Sequence, residues 1–141
     1  MRVMALDVGF KRIGVALSDP LGLTAYPHRV IYRRSNRETF EELLKIIEDK
    51  KVEKVVIGVP VNRQGEVTKI GEKIKKFTGK FEEFLKERGK EVELLFWDES
   101  FTTQQAREVA RELGKRKEEV DDYAAALILK EFLEGLQRNN Q

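Results

Sequence analysis

The sequence contains no cysteine and a single histidine, His28, among its 141 residues. Without cysteine there can be no disulfide bond, no cysteine-ligated zinc site and no thiol nucleophile. A lone histidine in a predicted strand is more often a packing or surface residue than a ligand, and no catalytic triad is evident around it. These absences remove most forms of nucleophilic catalysis from consideration.

Long apolar segments are also missing. No run of residues approaches the length of a membrane span, and the N-terminal apolar run is interrupted by Asp7 too early for a signal peptide. We therefore expect a cytoplasmic protein with no membrane partner. The length, with 40% hydrophobic and 37% charged residues, suits one soluble domain, which we place at residues 1–137 with a frayed tail at 138–141.

The sequence has almost no excess of charge of one sign. Its formal net charge is only +2, so no global field draws nucleic acid to the molecule. Any binding of nucleic acid must therefore depend on a local group of basic residues.

The organising segment is the N-terminal one, residues 1–19. Residues 3–6 form an apolar run without alternation, which is typical of a strand covered on both faces. This run ends at Asp7, which is followed by a glycine, by Lys11 and Arg12, and by a second apolar strand at residues 13–17. An acid beside two cations at the end of a strand suits a metal and phosphate site, although Asp and Gly are also common in ordinary turns.

The remaining pattern predicts an α/β protein. A third strand (residues 21–33) is followed by a helix, a strand (53–59), a long amphipathic helix, a strand (91–97) and two final helices. Capping boxes at Ser35 with Glu38, and at Thr102 with Gln105, mark two helix starts. We expect a five-stranded mixed sheet, with three antiparallel N-terminal strands and two further parallel strands, flanked by about four helices.

Acidic residues follow two of the predicted strands. Asp7 ends the first strand, and Asp98 and Glu99 come directly after the last one. If those strands are neighbours, the carboxylates meet at one edge of the sheet, where ligands of open α/β sheets bind. Clustered carboxylates need a cation, and oxygen ligands suit Mg²⁺ or Mn²⁺. Two such ions about 3.5–4 Å apart support hydrolysis of a phosphodiester by an activated water molecule.

Four motifs occur in an order that resembles the YqgF/RuvX family: DVGFKRIGVALSD, GVPVNRQG, DESFTT and VDDYAAALIL. The resemblance covers nearly the whole chain. It implies a ribonuclease-H-like fold, a relation to Holliday-junction resolvases and a role in maturing the 5′ end of 16S ribosomal RNA. It also implies that Asp7, Glu99 and Asp121 are the catalytic, metal-binding acids, with Asp98 beside them. The family usually has Arg where this sequence has Ser100, so that basic contact to the substrate is either missing or supplied by another residue, such as Arg63.

Helical periodicity supports Asp121 independently of the resemblance. At about 100° per residue, Asp121 falls within the apolar face of the final helix, and Asp122 falls at the edge of that face. The residues of that face are Val120, Ala124, Ala125, Ile128, Phe132 and Leu136. An acid directed at a core is costly unless it meets a cation or is protonated. The alternative is that both aspartates simply favour the positive end of the helix dipole.

The expected partner is nucleic acid, either a ribosomal RNA precursor or branched DNA. We expect Lys11, Arg12 and Arg63 to contact its phosphates, although surface ion pairing is nearly as good an explanation for each of them. Asn62 and Thr102 complete the expected substrate contacts. The sequence leaves open whether the protein is a monomer or a homodimer.

Two other functions remain open at this level. A phosphotransferase of the actin and sugar-kinase type also begins with Asp-x-Gly before a hairpin, but its two related domains need a longer chain. A nucleic-acid-binding module without activity would not need the acids, and all of them are present. Trp97 could stack on a base, but an aromatic residue that closes a strand is more often part of the core.

Overall fold

The computed structural model describes residues 1–99 and 117–139, and for residues 117–122 and 139 it describes the backbone only. The strands are β1 (Arg2–Val8), β2 (Arg12–Ser18), β3 (Ala25–Tyr32), β4 (Val52–Pro60) and β5 (Glu93–Glu99). The helices are α1 (Asn36–Lys50), α2 (Lys69–Glu87) and α3 (Lys117–Asn139). None of the helices in the described ranges is long and apolar enough to span a membrane.

The strands form one mixed sheet in the order β3-β2-β1-β4-β5. The pairs β1 with β2 and β2 with β3 are antiparallel, and the pairs β1 with β4 and β4 with β5 are parallel. The predicted five-stranded mixed sheet is therefore confirmed. Three of the predicted helices are present, and the predicted helix that opens at Thr102 lies outside the described residues.

Several predicted boundaries differ from the structure, and three of these differences matter most. The third strand begins at Ala25 rather than at residue 21, because the Asp19 carboxylate accepts hydrogen bonds from the backbone N–H groups of Leu23 and Thr24 and so shapes a turn. The last strand includes Asp98 and Glu99, which the sequence pattern had placed after it. The last helix continues past its expected end, as far as Asn139.

Helix α1 begins as predicted. The Ser35 hydroxyl accepts a hydrogen bond from the backbone N–H of Glu38 at 3.1 Å, which satisfies one of the free donors of the first turn. Phe40 then packs between the sheet and α2, with its ring centroid 5.2 Å from those of both Phe77 and Phe81. This packing fixes α1 and α2 together on one face of the sheet.

The two faces of the sheet carry separate cores. In β1, Met4, Leu6 and Val8 belong to the core beneath α1 and α2. Val3 and Ala5 point the other way and pack with residues of α3. Since side chains alternate along a strand, Asp7 lies on the α3 face.

Trp97 belongs to the core on the α3 face. Its ring meets Phe132 edge-on at a centroid distance of 5.7 Å, and its indole N–H donates to the Glu131 carboxylate at 3.2 Å. The interpretation of Trp97 as a core residue is therefore confirmed.

His28, on β3, makes stability depend on pH. Partial burial lowers its pKa below the ordinary 6.5, and the positive charges of Lys50, Arg29 and Arg2 act in the same direction. Because the unfolded chain then binds the proton more readily, stability is lost as the pH falls below the unfolded-state pKa. We expect urea denaturation to show a larger loss of stability between about pH 7 and pH 5 for the wild type than for His28→Gln. Identical losses in the two proteins would contradict this.

Candidate functional site

Asp7 lies at the carboxyl end of β1 and is only 9% exposed. It pairs with Gly14 of β2 on one side. On the other side, Leu6 is in register with Ile57 of β4, so the next position brings Asp7 beside Gly58. A carboxylate is thus held at the edge of the sheet, next to a residue without a side chain.

Glu99 approaches Gly58 from the opposite side. It is the last residue of β5, is 4% exposed, and is in register with Pro60. A Cβ atom placed on Gly58 would lie 3.2 Å from both Cγ and Oε1 of Glu99, so the Glu99 side chain extends back over Gly58. Asp7 and Glu99 are therefore two buried acids on one face of the sheet, on either side of Gly58.

Gly58 leaves the space that this arrangement needs. The same hypothetical Cβ would lie 2.5 Å from Cδ1 of Ile128, so α3 also approaches closely here. A glycine inside a buried strand is typical of a close approach of this kind. In the sequence, Gly58 appears only as the first residue of the GVPVNRQG motif, and no local pattern indicates this role.

Asp98 does not join the two buried acids. It is exposed and in register with Val59, which belongs to the core beneath α1 and α2. Successive residues of a strand point to opposite faces, so Asp98 and Glu99 are separated. This separation was not predicted, because both residues were expected to follow the strand and not to belong to it.

Asp121 lies on α3, but its side chain is outside the described part of the structure. The helix backbone still places position 121 one turn before Ala124 and Ala125, both fully buried. Among the side chains that the structure describes, no group of three or more acids or histidines is arranged to hold a metal ion. The described part of the candidate centre therefore consists of Asp7 and Glu99, and Asp121 as a third acid stays a prediction.

The direction of α3 is relevant to that prediction. A Cβ placed on Gly135 would lie 3.4 Å from the Trp97 ring, whereas Ile128 lies over Gly58 and Glu99. Since Trp97 precedes Glu99 in β5, the helix runs with its N-terminal part towards the carboxyl ends of β1, β4 and β5. Position 121 is therefore nearer to that edge of the sheet than Ile128 is.

A groove of about 560 Å³ adjoins Asp7. It lies between the β1–β2 turn and the first turns of α2, and Arg33 closes one side. Its lining includes Lys11 and Arg12, the two expected phosphate contacts of the turn. Arg33 and Lys73 were not predicted, because they come from segments that are distant in the sequence and Lys73 is one of many cations in α2.

Two other expected substrate contacts, Asn62 and Arg63, lie outside the groove. The Asn62 side-chain oxygen accepts hydrogen bonds from the backbone N–H groups of Gln64 at 3.0 Å and Glu66 at 2.9 Å, so it shapes the loop after β4. Arg63 is exposed in the same loop and does not line the groove. Thr102 and Ser100 are outside the described residues.

Relatives of this chain match it over nearly its whole length. A protein of Caldanaerobacter subterraneus subsp. tengcongensis, named "Putative pre-16S rRNA nuclease", is 40% identical over 145 residues, which cover 99% of this chain and 100% of that protein. A protein of the same name from Carboxydothermus hydrogenoformans is 41% identical over 143 residues, with coverages of 99% and 100%.

Solved structures share the fold. RuvC of T. thermophilus, in complex with a Holliday junction substrate, superimposes with a TM-score of 0.59 at 18% identity, over 97% of this chain and 96% of that one. The Holliday junction resolvase of fowlpox virus gives 0.53 at 14% identity, over 96% and 99%. The predicted ribonuclease-H-like fold is thereby confirmed.

The family predicted from the four sequence motifs is confirmed as well. The family model RuvX, described as Holliday junction resolvase, matches residues 1–135. The chain belongs to the RuvX family.

Proposed function

We propose that this protein is a metal-dependent nuclease that hydrolyses phosphodiester bonds in the precursor of 16S ribosomal RNA, at its 5′ end. The observation that carries the proposal is the pair of buried carboxylates, Asp7 and Glu99, on one face of the sheet with Gly58 between them. The curated relatives, which match over their full length, bear the name "Putative pre-16S rRNA nuclease". Family membership also favours a nuclease over the phosphotransferase considered from the sequence.

The two acids suit a divalent cation. Burying carboxylates together is costly unless positive charge compensates them, and Mg²⁺ and Mn²⁺ prefer carboxylate oxygens. When bound, such an ion would polarise the phosphodiester and lower the pKa of a water molecule for attack. Asp7 and Glu99 would hold the ion from two strands, and Asp121 would complete the set of ligands.

The basic residues of the β1–β2 turn would orient the substrate. Lys11 and Arg12 follow Asp7 within five positions and line the adjoining groove. Their positive charges would hold phosphates flanking the scissile one, and so keep that phosphate at the acids. A nuclease that acts on precursor ribosomal RNA would work in the cytoplasm, where that RNA is made.

A direct experiment compares two substrates. The protein is incubated with Mg²⁺, Mn²⁺ or EDTA and with either a precursor of 16S ribosomal RNA or a four-way DNA junction, and the ends of the products are mapped. We expect cleavage of the RNA precursor near the mature 5′ end, dependent on the metal. An Asp7→Asn preparation purified in the same way controls for contaminating nucleases. Absence of metal-dependent cleavage of both substrates would overturn the proposal.

Branched DNA is the second candidate substrate. The family model is described as Holliday junction resolvase, and the fold is that of RuvC. Symmetric cuts in the four-way junction, with the RNA precursor left intact, would favour this candidate over the first.

Gly58 provides a test of the geometry. In Gly58→Ala the new methyl group must displace the tip of Ile128 and press on Glu99. We expect cleavage to fall by about 10- to 100-fold, since small misplacements of catalytic groups are costly. Overpacking should lower the free energy of unfolding by about 1–3 kcal/mol. The measurements are steady-state cleavage rates and urea denaturation.

Gly79→Ala is the matched control. Gly79 lies in α2, and none of the described atoms around it comes within 4 Å of a Cβ placed there. This variant should gain about 0.5–1 kcal/mol of stability, as Ala replaces Gly inside a helix, and should cleave like the wild type. If Gly58→Ala also cleaved like the wild type, the space beside Glu99 would have no part in catalysis.

A further inference from the structure

The groove beside Asp7 has features that a site for phosphate alone does not need. It is formed by the β1–β2 turn, by Arg33 and by α2, and its volume of about 560 Å³ is within the range of ligand-binding cavities. Of the two buried acids only Asp7 lines it. The groove therefore borders Asp7 and extends along the α2 side of the sheet, whereas the side chains of Asp7 and Glu99 are on the α3 face.

The groove presents apolar surface to solvent. Phe10, in the β1–β2 turn, is 89% exposed, and Ile70, in the first turn of α2, is 65% exposed. Both line the groove, whose deeper wall is formed by the buried Ile74 and Phe77. An exposed aromatic ring beside an apolar wall offers a stacking surface for a flat, unpaired base.

Cations surround this apolar surface. Lys11, Arg33 and Lys73 line the groove, and none of the three forms an ion pair with any carboxylate side chain that the structure describes, namely those of residues 1–99 and 123–138. Their charge is therefore not neutralised by that part of the protein and is available to an anion. Phosphates on either side of a bound base would supply this anion.

Arg33 is held in place for such a contact. Its guanidinium donates to the Gly9 backbone carbonyl at 2.7 Å, and its central carbon lies 4.7 Å from the centre of the Phe77 ring. Burial lowers the pKa of Arg33, because fewer water molecules surround its charge. A partly desolvated and immobilised cation binds an anion with little loss of side-chain entropy.

We propose that this groove binds an unpaired nucleotide of the substrate strand next to the bond cleaved at Asp7. The base contacts Phe10 and Ile70, and the adjoining phosphates contact Lys11, Arg33 and Lys73. The proposal rests on the proposed nuclease function and adds that the strand must be single-stranded at this position. A continuous duplex offers phosphates to the cations, but its paired bases have no free face for Phe10.

The test measures binding in EDTA, where the metal-dependent reaction is off. Fluorescence anisotropy gives the dissociation constants of a labelled single-stranded RNA and of a blunt duplex of the same sequence. We expect Phe10→Ala to weaken binding of the single strand by about 5- to 150-fold, the range found for loss of one stacked base. Binding of the duplex should change less than about two-fold, because no base is stacked there. Phe10→Trp, which keeps an aromatic ring at this position, should bind the single strand about as tightly as the wild type.

Matched controls separate the groove from the rest of the surface. Leu21→Ala removes an exposed apolar side chain from the loop between β2 and β3, at the other end of β1, and should bind both RNAs like the wild type. For single-strand binding, the logarithm of the binding constant falls linearly with the logarithm of the salt concentration. Lys73→Ala should make this slope shallower by about 0.7, the value for one phosphate contact. Lys80→Ala, farther along α2 and outside the groove, should leave the slope unchanged.

The outcomes distinguish this proposal from the nuclease proposal. If the wild type cleaves its substrate but Phe10→Ala binds the single strand normally, or weakens both RNAs equally, the nucleotide site is wrong and the nuclease stands. If the wild type cleaves neither substrate while Phe10→Ala selectively weakens binding of the single-stranded RNA, the nuclease proposal is wrong and the groove remains a binding site for an unpaired nucleotide. Displacement of the RNA by micromolar adenosine monophosphate would show a site for free nucleotides and would overturn the proposal.

Discussion

Asp7→Asn is expected to lower metal-dependent cleavage by at least about 100-fold while leaving the fold intact. The substitution conserves the volume of the side chain and removes one negative charge. Asp7 is buried at the end of β1 on the face that also carries Glu99, so the charge is lost where a cation would bind. Cleavage rates at saturating Mg²⁺ measure the effect.

A second measurement on the same variant does not depend on activity. A ligand that binds only the folded state raises the melting temperature, so Mg²⁺ should stabilise the wild type and should stabilise Asp7→Asn much less. Circular dichroism without metal should show the same secondary structure in both proteins. Wild-type turnover by Asp7→Asn on a confirmed substrate would show that Asp7 is not a metal ligand.

Two other aspartates serve as controls for Asp7. Asp49→Asn changes an exposed residue near the end of α1, at the opposite edge of the sheet, and should have no effect on cleavage. Asp98→Asn should retain most of the activity, because Asp98 is exposed and in register with Val59 of the other core. A large loss of cleavage activity in Asp98→Asn would contradict the separation of Asp98 from Glu99.

Much of the fold could be predicted because local patterns and global architecture agree. The apolar run that ends at Asp7, and the alternation of strands with helices, were enough to place Asp7 at the carboxyl end of a central parallel strand. The separation of Asp98 from Glu99 was missed because the predicted end of β5 was two residues too early. The alternation was nevertheless visible: Trp97 and Glu99 share a face, and Trp97 was correctly interpreted as a core residue.

The groove could not be predicted from local patterns. Phe10 lies in the β1–β2 turn, Arg33 directly follows β3, and Lys73 lies in α2. Only the tertiary structure brings these three residues together. In sequence, Lys73 is one of many cations on the solvated side of α2, and Arg33 is simply the residue after β3. Such sites depend on how segments pack, and a single sequence gives no measure of that.

The second large effect is expected at Asp121. Asp121→Asn should lose metal-dependent cleavage, as Asp7→Asn does, and Asp122→Asn should keep most of it. The difference follows from the helix. Ala124, Ala125 and Ile128 are fully buried against the sheet, and position 121 precedes them by three, four and seven residues, the spacings of one helical face.

The packing of α3 supports the same ranking. Ile128 lies over Gly58, and the N-terminal part of the helix extends towards the edge of the sheet where β1 and β5 end. The small side chains of Ala124 and Ala125 let the helix approach the sheet closely. Position 121 is the next one on this face in that direction, whereas position 122 is rotated by about 100°.

The alternative for both aspartates is a favourable interaction with the positive end of the helix dipole. It predicts small and similar losses of stability for Asp121→Asn and Asp122→Asn, with cleavage retained in both. The metal hypothesis predicts unequal effects: only Asp121→Asn loses cleavage and the Mg²⁺-dependent rise in melting temperature. Measuring the cleavage rate and the Mg²⁺-dependent rise in melting temperature for both variants decides between the hypotheses. A greater loss of cleavage in Asp122→Asn than in Asp121→Asn would refute the assignment of Asp121 to the metal site.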